Sequence, residues 1–353
     1  MAVSGECSNY PHQQQLAKSA RVIKSQSSSY GPIKVEVQKE LLLEMYRRMV
    51  RIREFELGAM DLFKRGQVKG AVHPYIGQEA SGVGVCIALR RDDLIAGTHR
   101  SHGHTLAKGA DTKKMMAEIL GKETGYCRGR GGSMHIAAFE TGSLGALAVV
   151  GSGIPLAVGA ALAFKMRGED KVSVPFTGEG GSNTGNWHEC LNMASIWNLP
   201  VIFVLENNQY AVSTKVDTVI KVKDLSLRAQ GYGIPGVRVD GFDVLAVYEA
   251  ATKAVARARR GEGPTLLVTE SYRFEGHYAG EPEVYRTRAE VEEHRKLDPI
   301  PRFRNYLVDN GKASLDEVNA IDTEVKQEIA DAIEFAKVSP PPDPATAKDY
   351  IYA

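Results

Sequence analysis

The chain has 353 residues, 43% of them hydrophobic and 25% charged, which are ordinary globular values rather than those of a disordered or fibrous chain. Its 44 basic and 43 acidic residues leave a formal net charge of +1, so charge offers no argument for a nucleic-acid or membrane-surface partner. The four cysteines, Cys7, Cys86, Cys127 and Cys190, form no CxxC pair, which argues against a disulfide framework or zinc site and favours a reducing compartment.

Residues 1–35 are polar and rich in Ser and Gln, without a hydrophobic signal core. Lys18, Arg21 and Lys24 face only Glu6, a faint likeness to a transit peptide. The segment reads as a disordered extension, with a cytoplasmic location expected and organelle targeting a secondary reading. Residues 36–353 read as a single domain. Leu41–Lys64 repeats apolar residues at helical spacing, and Glu79–Arg90 suggests a second helix. Gly151–Arg167, almost all small and apolar, is expected to be a helix buried against a sheet. Val172–Thr177 reads as a strand, Gly185–Trp197 as a helix and Val201–Leu205 as another strand. Further strands at Val237–Val239 and Thr265–Thr269 enclose a helix at Asp243–Arg260. Helices follow near Pro301–Val308 and Leu315–Ala336, then a Pro-rich arm, Ser339–Pro344, suited to packing on something extended. The alternation predicts an α/β fold with a mostly parallel central sheet and helices on both faces.

The most informative stretch is Val172–Thr214. Its first strand runs into Gly178-Glu179-Gly180-Gly181, and its second ends in Glu206-Asn207-Asn208-Gln209-Tyr210. Glu179 and Asn208, 29 residues apart, then share the strand-end edge of a parallel sheet, where ligands bind. A carboxylate and an amide carbonyl converging there suit a hard cation such as Mg²⁺ that shares phosphate oxygens. The Gly turn admits close approach of backbone N–H groups to phosphate. The bland alternative is a strand–turn–helix in which Gly serves geometry alone. A nicotinamide-binding reading fails, because Asn183 stands at the third Gly position of G-x-G-x-x-G and Leu156 at that of Gly151-x-Gly153.

This stretch resembles the thiamine diphosphate motif, except that Glu179 stands where the family has Asp. Other segments extend the likeness: AVHPYIGQEA from Ala71, GTHRSHGHTLAK from Gly97, GYCRGRGGSMHIA from Gly125, YRFEGH from Tyr272, and Tyr285-Arg286-Thr287. Together they resemble the alpha subunit of the thiamine-diphosphate-dependent decarboxylating component of 2-oxo acid dehydrogenase complexes. The likeness covers nearly everything after residue 36 and is strongest to the pyruvate and acetoin branches. Thr98-His99-Arg100 is worded more like the acetoin enzymes.

The resemblance implies a thiamine-diphosphate-binding fold and a set of roles. Arg100 grips the diphosphate, a match of guanidinium to phosphate oxygens, with His99 beside it. Glu179, Asn208 and the Tyr210 carbonyl hold Mg²⁺, and Gly180 and Gly181 close on the diphosphate. Val150 and Ala148 cradle the pyrimidine ring, although the family has Gly at the latter position. His73 and His277 face the reacting carbonyl, where imidazole suits proton transfer. His102, His104 and His135 read as structural, with His102 able to order the loop after Arg100. Arg130 and Ser133 sit in a basic Gly-rich loop expected to flank the cofactor channel. The resemblance further implies a beta subunit in an α₂β₂ assembly, a lipoyl acyltransferase as acceptor, and an inactive isolated chain. Pyruvate or acetoin is the implied substrate, with branched-chain 2-oxo acids or a non-catalytic assembly role as alternatives. No serine lies between His277 and Arg288, so phosphoserine regulation of that loop is not supported.

Overall fold

The central strands of this chain are apolar on both faces, as a helix-covered parallel sheet requires. The structure, a computed structural model, describes residues 37–68 and 70–349. The expected extension at residues 1–35 lies outside the described residues. The helices are α1 (Lys39–Lys64), α2 (Glu79–Ile87), α3 (His102–Ala107), α4 (Thr112–Ile119), α5 (Gly153–Arg167), α6 (Gly185–Ile196), α7 (Val216–Val219), α8 (Val244–Arg259), α9 (Arg288–Arg295), α10 (Pro299–Asp309) and α11 (Leu315–Val338). The strands are β1 (Leu94–Ala96), β2 (Ser173–Gly178), β3 (Ile202–Asn207), β4 (Tyr210–Ala211), β5 (Thr214–Lys215), β6 (Gly236–Asp240) and β7 (Thr265–Glu270).

Five strands form one sheet in the order β1-β2-β3-β7-β6, every pair parallel, while β4 and β5 make a separate small hairpin. Alternate residues feed opposite cores, as the two-residue period of a strand demands. Val174, Phe176, Ile202, Val204 and Leu267 join a core with α1, α2, α8 and α11. Phe203, Leu205, Leu266 and Val268 join a second core with Ile154, Val158 and Ala161 of α5 and Trp187, Leu191 and Ala194 of α6. Helices therefore cover both faces, as the sequence predicts.

Local signals explain the helix ends. Asp243 accepts from the N–H groups of Leu245 and Ala246 at the start of α8, and Ser314 forms a capping box with Glu317 at the start of α11. Helices α1 and α11 pack together and are tied by Arg51 to Glu328 at 3.0 Å and Lys39 to Glu317 at 2.7 Å. Helix α5 packs against the sheet as expected, but only one face of it is buried. Ile154, Ala157, Val158, Ala161 and Phe164 are buried, but Leu156 and Met166 stand exposed at 43% and 80%. Small apolar composition all round a helix does not say which face has a cover. The Pro-rich arm packs on this chain itself: Pro340 O accepts from Glu123 N at 3.0 Å, and Thr124 donates to Ser339 at 2.7 Å.

The register aligns Gly178 with Glu206 and Asn207 with Glu270. Strands β1, β2, β3 and β7 therefore deliver Gly97–Arg100, Glu179, Asn208 and the Arg273–His277 segment to one edge of the sheet.

Candidate active site

At that edge lies a cavity of about 220 Å³. His73, His99, Arg100, Ala148, Val150, Glu179, Gly180, Gly181, Asn208, Tyr210 and His277 all line it. The eleven residues given catalytic, cofactor or metal roles thus meet in one place, while Arg130 and Ser133, expected beside the channel, do not line it. Sequence reasoning assigned no role to Gln78, Glu206 or Arg273, which line it too.

The turn after β2 is tight for a reason that can be measured. A Cβ on Gly180 would sit 2.6 Å from Ala211 Cβ, and one on Gly181 2.2 Å from Thr177 Oγ1. Glu179 is 2% exposed, and its Oε2 accepts from Asn208 N at 3.3 Å. Its Oε1 is buried with no hydrogen-bond partner among the described residues. Burial pushes this carboxyl up to about 7, against the pull of backbone N–H groups and of Arg273 and Arg100. An orphaned buried carboxylate oxygen is a strained arrangement that a cation would relieve. Asn208 Nδ2 donates to Gln78 Oε1 at 3.1 Å, so Gln78 fixes the amide, and Tyr210 N donates to Asn208 Oδ1 at 3.3 Å. The Tyr210 carbonyl accepts from Arg273 at 3.3 Å and keeps a second lone pair. Among the described residues no cluster of three or more His, Cys, Asp or Glu is arranged for a metal. The set here is one carboxylate, one amide and one carbonyl, which is hard-cation chemistry.

The opposite wall is cationic. Arg100 is 4% exposed and donates to Pro74 O at 2.7 Å and His277 O at 3.0 Å. Burial and then the neighbouring Arg273 charge hold it down at about 9. His73 lies 4.9 Å from both His99 and His277, ring to ring. Burial, then the Arg100 charge, lowers His73 to about 3, His99 to about 2 and His277 to about 4. The three imidazoles are therefore neutral at pH 7, and His73 Nδ1 has no partner among the described residues. A polyanion between Arg100 and the turn would reverse the sign of the field and raise all three.

Around this wall the structural histidines find carboxylates. His102 meets Glu56 at 3.0 Å and Ser133 Oγ at 3.0 Å, and Glu56 also accepts from Tyr75 N at 2.9 Å. His104 meets Glu206 at 2.9 Å and stacks on Phe176, while the Tyr75 hydroxyl donates to the other Glu206 oxygen. His135 Nδ1 meets Gly131 O at 3.2 Å. The Gly-rich loop differs from expectation in one respect. Arg130 turns to the C-terminal arm and donates to Thr346 Oγ1 at 2.6 Å, and the loop's residue in the cavity wall is Met134. The loop is wound on buried Glu118, which accepts from the N–H groups of Cys127, Gly129, Gly131 and Gly132.

Residues 47–345 match the family model described as dehydrogenase E1 component. The chain is 46% identical over 329 residues to the alpha subunit of acetoin:2,6-dichlorophenolindophenol oxidoreductase of Cupriavidus necator, covering 93% of this chain and 98% of that protein. It is 46% identical over 309 residues to the subunit of the same name in Bacillus subtilis, covering 87% and 92%. It is 42% identical over 326 residues to the pyruvate dehydrogenase E1 component subunit alpha of Porphyra purpurea, covering 90% and 95%. With a five-stranded parallel sheet and a cavity at its strand-end edge, and with a model match over most of its length, this chain belongs to the dehydrogenase E1 component family.

Proposed function

We propose that this chain is the alpha subunit of a thiamine-diphosphate-dependent dehydrogenase component that cleaves acetoin or pyruvate and passes the two-carbon acyl unit to a lipoyl acyltransferase. The family as a whole uses thiamine diphosphate. The observation that carries the reading is the pairing, across one cavity, of an orphaned buried carboxylate at Glu179 with the guanidinium of Arg100. A Mg²⁺-bound diphosphate has both needs, a hard anionic ligand for the cation and a fork of donors for phosphate.

The residues fit that group. Glu179, Asn208 and the Tyr210 carbonyl would hold Mg²⁺, Gly180 and Gly181 leave room for the diphosphate, and Arg100 with His99 would bind its oxygens. Val150 and Ala148 would line the ring end. When bound, thiamine diphosphate supplies the carbanion chemistry that breaks the bond beside the carbonyl. This chain's own part is to bind and orient that group and to hold a proton at His73 or His277, whose imidazoles are neutral here and would accept one more readily once the negative charge of a diphosphate lay beside Arg100. The subunit names of the relatives imply a beta partner in the same component. The exposed apolar residues of α5, of α6 and of its C-terminal cap, among them Leu156, Met166, Ile196 and Trp197, are consistent with a chain that is not complete alone. Free Cys86, Cys127 and Cys190 accord with a cytoplasmic location, and no helix among the described residues is long and apolar enough to cross a membrane.

Turnover of acetoin and of pyruvate, with an artificial electron acceptor and the co-expressed beta subunit, tests the reading. Thiamine-dependent turnover of either is expected, and the faster substrate names the branch. Cofactor binding without turnover of either would overturn the substrate assignment.

A further inference from the structure

Behind the Gly178–Gly181 turn, on the side of Glu179 O, a second set of contacts holds the backbone. Buried Ser182 donates its hydroxyl to Glu179 O at 2.6 Å. Arg228, from the irregular helical segment Leu225–Tyr232, donates to Ser182 Oγ and Ser182 O, both at 2.6 Å. Its guanidinium also lies 5.8 Å from the Trp187 ring. Arg228 makes no ion pair among the described residues, so a half-buried cation is spent on two neutral oxygens of one residue. Such a cost is retained where geometry matters, because a guanidinium fork fixes two acceptors at once. The consequence follows from peptide planarity. In a trans peptide the carbonyl and the next N–H point in opposite directions. Pulling Glu179 O back onto Ser182 therefore turns the Gly180 N–H the other way, and Gly180 lines the cavity. The same bond fixes the peptide plane from which the Glu179 side chain springs.

We infer that Arg228 and Ser182 form a brace that sets the Glu179–Gly180 peptide for cation and diphosphate binding, which makes Arg228 a positioning residue for the cofactor. The inference rests on the thiamine diphosphate reading. It also bears on Glu179: a braced backbone cannot retreat to absorb the longer side chain, so the carboxylate reaches further into the cavity.

The test uses the complete component, this chain co-expressed with its beta subunit, and calorimetric titration of thiamine diphosphate in Mg²⁺. Arg228→Gln and Ser182→Ala are each expected to weaken binding about tenfold or more, the size of a lost charge-assisted hydrogen bond. Arg228→Lys is expected to restore only part, since an ammonium lacks the fork. The double variant is expected to bind no more weakly than the worse single one, the mark of a shared pathway. The KM for the acyl substrate at saturating cofactor should not move. Trp187, one of two tryptophans, offers a second readout by fluorescence during the titration. If Arg228→Gln fails to assemble, Ser182→Ala, which removes one oxygen, decides alone. Variants that bind like a binding wild type overturn the brace only. A wild type that does not bind overturns the cofactor reading, and the brace with it.

Discussion

Glu179 concentrates the chemistry of this site in one side chain. It is one methylene longer than an aspartate would be, it is buried, and one of its oxygens has no partner among the described residues. The longer arm places a cation further from the turn, which weakens binding of a small ion that demands near-ideal geometry. Glu179→Asp is expected to tighten Mg²⁺ binding about tenfold, or ~1.4 kcal/mol, and to shift preference toward Mg²⁺ over larger Ca²⁺. Competitive metal titration checks this, and unchanged affinities would refute it. The histidines give a second prediction at this scale. In the unfolded chain an imidazole titrates near 6.5. Folded, His73, His99 and His277 titrate at about 3, 2 and 4. As pH falls below about 6.5 the unfolded state takes up protons that the folded state refuses, so stability is lost with falling pH down to the folded values. The urea midpoint without cofactor is expected to fall from pH 7 to pH 5, and the slope to be shallower in His277→Asn. Arg273 was not legible as a site residue, because one arginine in YRFEGH carries no spacing pattern. Its place follows only from β7 lying between β3 and β6.

At the scale of elements, the long and periodic parts of the chain were legible and the short ones were not. The apolar stripe of α1 is visible in sequence because it repeats at helical spacing. Strand β1 has three residues, too few to show alternation. Helix α3 reads HGHTLA, and its polar residues are buried because Glu56 and Glu206 come from distant segments to meet the histidines. Pairing of that kind is tertiary and leaves no local trace. The turn between β2 and α6 is legible in the sequence as a place for glycine, and the contacts show how little freedom it has. Gly180→Ala brings a Cβ to 2.6 Å from Ala211 Cβ, so the turn and the β4 segment must separate. We expect a stability loss of about 1–3 kcal/mol in urea denaturation, with cofactor affinity falling as well. Full affinity in that variant would mean that the turn is not the diphosphate site.

At the scale of the whole molecule, the sheet brings four strand ends to one edge, and the cavity is built from segments scattered between His73 and His277. One wall offers cation ligands and the other offers cations, so an anionic cofactor with its metal would complete both. Fold class, and the meeting of Glu179, Gly180, Gly181 and Asn208, follow from the motif and its parallel-sheet context, whereas the other seven residues are placed only by the family resemblance. The exposed side of α5 does not follow, because burial by another subunit and burial by the sheet demand the same apolar residues. Alone, the chain is expected to turn over neither acetoin nor pyruvate, and to gain activity on addition of the beta subunit. Calorimetry of thiamine diphosphate on the complete component, with and without Mg²⁺, decides whether the cavity is a thiamine diphosphate site. Saturable binding that disappears when Mg²⁺ is chelated, and is weakened strongly by Arg100→Ala, is the predicted result. No binding in the presence of Mg²⁺ would contradict it, and would mark Glu179 as the sign of a chain that has left thiamine chemistry.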